Sequence, residues 1–263
     1  MIRRPLWVRA FGSWTFRYAR TWRGSLATGF ALPVLYLAAI GVGLGGLVDR
    51  HVTGGGPSSI SGIGYLSFVA PGLLAGSAMQ IATSEATFPV MAALKWERRY
   101  DAMLATPLRV CDVLAGHLGY IAMRSGATSA AFLLVATAFG AVHSPEAALA
   151  LPVGILVGLA FATPLAAYAA TQQNAVGFNV VNRLVVVPLF LFSGSFFPIT
   201  RLPGALRLVA QFTPLYHGVA LARAATLGRL AAPSTAGHLA YLVALVACAS
   251  VVAGRTYRHR LAP

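Results

Sequence analysis

"AALALPVGILVGLAFATPLAAYAA", residues 147–170, carries no charged side chain. A helix of about 20 apolar residues is long enough to cross the ~30 Å of hydrocarbon in a bilayer. Within lipid the backbone must satisfy its own hydrogen bonds, which leaves helices or a closed barrel. The strict apolar/polar alternation of a barrel strand is absent, so the stretch reads as a transmembrane helix. The whole chain agrees: it is 57% hydrophobic and 10% charged, with a mean hydropathy of +0.72, whereas a soluble domain is about 25% charged. A water-soluble globular protein is excluded.

Working outward, "TQQNAVGFN" (171–179) leads into a second apolar run, and "AVHSPEA" (141–147) joins 147–170 to the run before it. Continuing in both directions gives six spans, at 24–48, 65–92, 114–140, 147–170, 177–197 and 236–254. The turn-rich "DRHVTGGGPSSISG" (49–62) separates the first two. The expected fold class is an all-α membrane protein of one domain, 1–263. Residues 1–23 form an interfacial helix, 24–254 a six-span bundle and 255–263 a cytoplasmic tail. No internal repeat or soluble domain is visible. The first apolar run exceeds the ~7–15 residues of a signal-peptide core and reads as a retained anchor.

In residues 1–23, Trp7, Phe11, Trp14, Tyr18 and Trp22 recur at helical spacing, with Arg9, Arg17 and Arg20 mostly on the other side. That pattern suits a helix lying in the membrane interface with its rings at headgroup level. The formal net charge is +14, yet the arginines flank apolar spans, so membrane orientation accounts for them better than nucleic-acid binding. With the N-terminus inside, thirteen Lys and Arg lie on the cytoplasmic side and five outside. Both termini are therefore expected in the cytoplasm of a bacterial plasma membrane. Cys111 and Cys248 lie far apart, the six histidines are scattered, and no metal-binding spacing exists.

One stretch breaks the pattern. "ALKWERRYDAMLATPLRVCDVLAGH", residues 93–117, holds three of the six acidic residues, Glu97, Asp101 and Asp112, and the only lysine, Lys95. The spacing predicts a short cytoplasmic helix over 95–106, closed by Pro107. Trp96, Tyr100, Met103 and Leu104 share one face and Glu97 and Asp101 the other. Arg98 stands three residues before Asp101, but Glu97 has no base ahead of it. Such a face suits a positively charged partner; it also suits a solvated loop kept out of the bilayer by its charges.

The segment "ERRYDAMLATPLRVCDVLAG" (97–116) resembles the E…(L/W)E-x-L-L-x-T-P-L coupling segment of type-2 ABC exporter permeases. "APGLLAGSAM" (70–79), "FSGSFFPITRLP" (192–203) and "TPLYHGVALAR" (213–223) are similar to further signatures of that family, in the same order and over nearly the whole chain. The resemblance is closest to the branch containing nodulation protein J and antibiotic-efflux permeases. One departure is Asp101, where the family usually has Glu. The resemblance implies six helices plus an N-terminal elbow helix. It also implies a cytoplasmic coupling helix (Trp96, Glu97, Arg98, Tyr100, Asp101, Met103, Leu104) that docks on an ATPase. Re-entrant extracellular helices, marked by Phe197, Pro198, Pro203, Pro214, His217 and Arg223, would follow span five. Two such subunits, identical or homologous, would pair with two ATPase subunits. A P-loop needs Gly-Lys-Ser/Thr, and the only lysine follows Leu94. ATP and Mg would therefore bind the partner, this chain holding no cofactor and no catalytic residue.

Glu85, Arg124 and Arg183 fall inside apolar spans, where charges are costly and usually face a partner or a cavity. They are expected at similar depth, as a structural ion pair or as charges on a substrate path. The leading function is the membrane subunit of an ABC exporter for an amphipathic or hydrophobic substrate, such as a lipid-linked saccharide, glycolipid or drug. The alternative is an ion-driven secondary transporter, which wants acids near mid-membrane or broken helices in paired halves. A membrane-embedded enzyme would need a His/Asp/Glu or Ser/His cluster in the spans, and none is present.

Overall fold

The computed structural model of the chain describes residues 5–40 and 64–261. Among those residues every regular element is helical. Helix α1 (Leu6–Tyr18) is followed by α2 (Trp22–Ala38). Next come α3 (Tyr65–Ala86) and the short α4 (Phe88–Met91), which runs into a π-helical turn, Ala92–Trp96. The turn helix α5 (Arg99–Leu104) leads to α6 (Val110–Ala138) and α7 (Ala150–Thr171). Then α8 (Val176–Val181), a second π-turn (Asn182–Val186) and α9 (Val187–Phe192) form one continuous helix. Helices α10 (Gly204–Gln211), α11 (Pro214–Thr226) and α12 (Ala232–Leu261) complete the chain.

Among the described residues, four stretches are long and apolar enough to cross a membrane: Tyr65–Trp96, Val110–Ala138, Pro145–Thr171 and Ala232–Leu261. They coincide with four of the six expected spans. The fifth, 177–197, corresponds to the shorter apolar helix Val176–Phe192. Helix α2 covers the start of the first, 24–48; residues 41–48 of that span and the 49–62 loop lie outside the described residues.

Local chemistry sets the breaks. Asp112, in the first turn of α6, accepts a hydrogen bond from the Arg109 backbone N–H at 3.0 Å, so this acid is a helix cap. Gly140 (φ 71°) and Gly228 (φ 64°) follow the ends of α6 and α11 in the left-handed conformation that glycine tolerates. Thr213 caps α11 through the Tyr216 N–H, and Pro214 takes the first position.

Helix α7 is central, packed against α3, α6, α11 and α12. Its Gly154 and Gly158 face Ser129 and Ser125 of α6, and a Cβ at either glycine would collide with those serines. Small residues at this spacing let membrane helices approach closely. Gly116 does the same for α1: a Cβ there would lie 2.5 Å from Ala10 Cβ and 2.7 Å from the Phe11 nitrogen. Gly116→Leu is expected to lift α1 off the bundle and lower the monodisperse fraction in detergent several-fold, read by fluorescence-detected gel filtration. An unchanged profile would mean that α1 is held elsewhere.

The ends of the bundle are distinct. At one, Trp14 of α1, Tyr100 of α5 and Tyr257 of α12 are neighbours, with ring centroids 6.4 Å (Trp14–Tyr100) and 5.8 Å (Tyr100–Tyr257) apart. The N-terminal helix, the charged turn and the C-terminal end therefore share a side. At the other, the His143 N–H donates to the Thr226 carbonyl at 3.0 Å.

Three expectations are corrected. The span expected at 236–254 is part of a longer helix: α12 runs from Ala232 through Leu261, with Tyr257 fully buried. The aromatic stripe of residues 7–22 does not face lipid throughout, because Trp14 is 2% exposed against α6 whereas Trp7 and Trp22 are exposed. The helix expected over 95–106 is confined to Arg99–Leu104, because Arg98 adopts φ 46°, ψ 32° and interrupts it.

Candidate functional site

The charged turn is built around Arg98. A non-glycine residue in the left-handed region costs about 1–3 kcal/mol and persists only when its surroundings over-determine it. Here it separates the π-turn that ends the long helix from α5. Glu97 and Asp101 consequently stand on different elements rather than on one helix face. Glu97 is also not free: Arg17 Nη1 donates to its two carboxylate oxygens at 3.0 and 3.2 Å, and Arg99 forms a second ion pair with it. Sequence spacing could not show either base, since one comes from α1 and the other from two positions ahead. Asp101 is exposed, and among the described residues it makes no ion pair.

The apolar side of the turn is divided. Tyr100 is completely buried and Met103 is 8% exposed, Leu104 is partly buried, but Trp96 is 67% exposed and points away from the core. The Tyr100 hydroxyl shares a 3.1 Å hydrogen bond with His117 Nδ1 of α6. Burial pushes that hydroxyl well above its ordinary pKa, so it remains neutral. Trp14 stacks on His117 at 3.9 Å, and the Arg99 guanidinium lies 4.5 Å from the Trp14 ring centroid. The turn is thus pinned to α1, α6 and α12 through one aromatic cluster.

Deeper in the bundle, Glu85 of α3 and Arg124 of α6 form an ion pair at 3.5 Å, their side chains 17% and 11% exposed. The same guanidinium sits 4.4 Å from the Tyr18 ring centroid. Arg183, expected alongside them, is exposed on the second π-turn, and among the described residues it makes no ion pair.

At the opposite end a second cluster gathers around Arg223 of α11. Its Nε donates to the Phe68 carbonyl at 3.2 Å and its Nη2 to the Gly194 carbonyl at 2.8 Å, while its guanidinium covers the Phe68 ring at 3.8 Å. Gly194 has φ 82°, and the turn it forms seats Ser195 against Gly72, where a Cβ would lie 2.6 Å from the Ser195 Cα. Phe197 and Pro198 follow, partly buried, and Pro203 is the exposed residue before α10. Helix α11 buries one face on α3, α7 and α12. By contrast Leu208, Val209 and Phe212 in and after α10 are exposed. His217 meets His238 of α12, Nδ1 to Nδ1 at 2.7 Å, and stacks on Tyr241 at 3.9 Å.

A groove of about 390 Å³ runs between α3–α4 and α8–α9. Gln80, Thr83, Ser84, Thr87, Asn179 and Asn182 offer it hydroxyls and amides, and Phe88, Phe178 and Phe190 offer it rings. Among the described residues, the buried Thr83 hydroxyl has no hydrogen-bond partner.

Residues 9–227 match the family described as ABC-2 type transporter. The chain belongs to that family. Nodulation protein J of Rhizobium leguminosarum bv. viciae is 30% identical to this permease over 97% of the chain and 93% of its own length. Its namesake from bv. trifolii is 32% identical over 85% and 80%, and that of Rhizobium meliloti (strain 1021) 29% identical over 94% and 87%.

Within this ABC-2 permease the linear signatures become one place. "APGLLAGSAM" supplies Gly72, "FSGSFFPITRLP" supplies Gly194 and Ser195, and "TPLYHGVALAR" supplies Arg223, so three motifs meet in a single clamp. The polar groove was missed in the sequence, although Gln80, Thr83, Ser84 and Thr87 recur on one helical face. So was the Tyr100–His117–Trp14 cluster, because its members are distant in the chain.

Proposed function

We propose that this permease is the membrane subunit of an ATP-driven exporter in a bacterial plasma membrane. It works with two ABC ATPase subunits, which bind ATP and Mg, and with a second copy of itself or a homologous permease. The observation that carries this reading is the charged turn. Tyr100 and Met103 anchor α5 in the core, while Trp96, Arg98 and Asp101 stand exposed at its surface. A rigid projection with an exposed indole and charges is what a separate subunit needs in order to grip the bundle. The cargo is an amphipathic or hydrophobic molecule, such as a lipid-linked saccharide, glycolipid or drug. The groove beside Gln80 and Phe178 supports that class, because amides and hydroxyls alternate with phenyl rings. The ion-driven alternative loses support because Glu85 is paired with Arg124.

Purified with its ABC ATPase in nanodiscs, the permease should show vanadate-sensitive ATP hydrolysis and ATP-dependent transport. Transport driven by an ion gradient without ATP would sink the reading.

The same proposal fixes orientation: α1, the charged turn and the end of α12 are cytoplasmic. Cys111 and Cys248 are both exposed and must first be replaced by serine. A membrane-impermeant maleimide added outside cells should then label Ser234→Cys and not Thr106→Cys. The reverse pattern would invert the topology.

A further inference from the structure

An open cleft of about 570 Å³ lies beside the charged turn, lined by Leu94, Lys95, Arg98, Asp101, Arg260 and Leu261. Three bases face one acid there. The lining comes from both ends of the chain's logic, the π-turn and α5 on one wall and the end of α12 on the other. The Lys95 ammonium is held in place by Gln173 Oε1, which accepts from it at 2.9 Å. Arg98 owes its direction to its left-handed backbone. The nearest other acid in sequence, Glu97, is already neutralised by Arg17 and Arg99. The surface that reads as acidic from residue spacing is therefore net positive where it opens to solvent.

We propose that this cleft receives an acidic segment of the ABC ATPase subunit, a step that rests on the docking reading above. Complementary charge steers association and fixes register. Asp101 is the discriminating residue: it repels a bare anionic lipid phosphate, but it meets a base or a backbone N–H of a protein segment whose carboxylates lie against Lys95, Arg98 and Arg260. Leu94 and Leu261 supply an apolar lining on which such a segment can rest.

The test uses the permease–ATPase complex with the photo-reactive amino acid benzoylphenylalanine placed at Leu261 in one sample and at Trp96 in another. Mass spectrometry identifies what each captures. The expected result is an ATPase adduct from both positions, with the segment captured at Leu261 rich in Asp and Glu. An ATPase adduct at Trp96 with a basic segment or a phospholipid at Leu261 would overturn the inference and leave the docking reading intact. No ATPase adduct from either position would remove both. In parallel, Arg98→Glu with Arg260→Glu should weaken ATPase association by at least about tenfold at low salt. Arg98→Lys with Arg260→Lys should hold it near wild type. Equal affinity of the reversed and conservative pairs would count against the inference.

Discussion

Glu85→Ala should cut the folded permease recovered from membranes several-fold, and adding Arg124→Leu should restore most of it. The two side chains are 3.5 Å apart, each less than a fifth exposed, within apolar helices. Removing one partner of a buried pair costs about 3–5 kcal/mol, because the other is left as an uncompensated charge, whereas replacing both with apolar residues is often neutral. Arg124 would retain the Tyr18 ring at 4.4 Å, and a cation–π contact offsets only about 0.5–2 kcal/mol. The measurement is the monodisperse peak of each variant in detergent, with transport assayed beside it. If Glu85→Ala folds normally and transport is lost, the acid belongs to the substrate path instead.

Arg223→Met should be the most destabilising single change at the other end of the molecule. The substitution keeps the bulk but withdraws donors from the Phe68 and Gly194 carbonyls. The Gly194 carbonyl would lose its partner, and a buried acceptor left unsatisfied costs about 1–3 kcal/mol; the Phe68 carbonyl lies within α3 and keeps the helix's own hydrogen bonding. The ring contact at 3.8 Å goes as well. Arg223→Lys should recover only part, since a single ammonium cannot reproduce the planar fork that reaches two carbonyls at once. A thermal melt of the purified protein reads this order: wild type, then lysine, then methionine. Melting of Arg223→Met at the wild-type temperature would show that the three motifs are not held together through this residue.

The contrast between these two sites explains how far the sequence could be read. Apolar length alone locates the spans that end near Thr171 and Ala138, because lipid imposes the same demand on every helix that crosses it. The meeting of Glu85 with Arg124 rather than Arg183 depends on the azimuth of each helix, and in spans that are hydrophobic all round the sequence carries little signal for azimuth. The charged turn shows the same limit. Helical spacing predicts one continuous face from Trp96 to Leu104, but a single left-handed residue, Arg98, breaks it. Nothing in a Glu-Arg-Arg-Tyr string announces that break. The bases that neutralise Glu97 were visible as residues but not as neighbours, since Arg17 reaches it only once Gly116 lets α1 close on α6.

The π-turn at Asn182–Val186 gives the groove a property of its own. A π-turn accommodates one residue more than the α-turns on either side of it. That surplus residue sets the phase between Asn179 before the turn and Phe190 after it, both of which line the groove. Were the same residues to wind as a continuous α-helix instead, everything beyond the turn would swing by about 100°. The pocket would then come apart with every residue that forms it still present, so the winding of a single turn is enough to give two permeases of this fold unlike grooves.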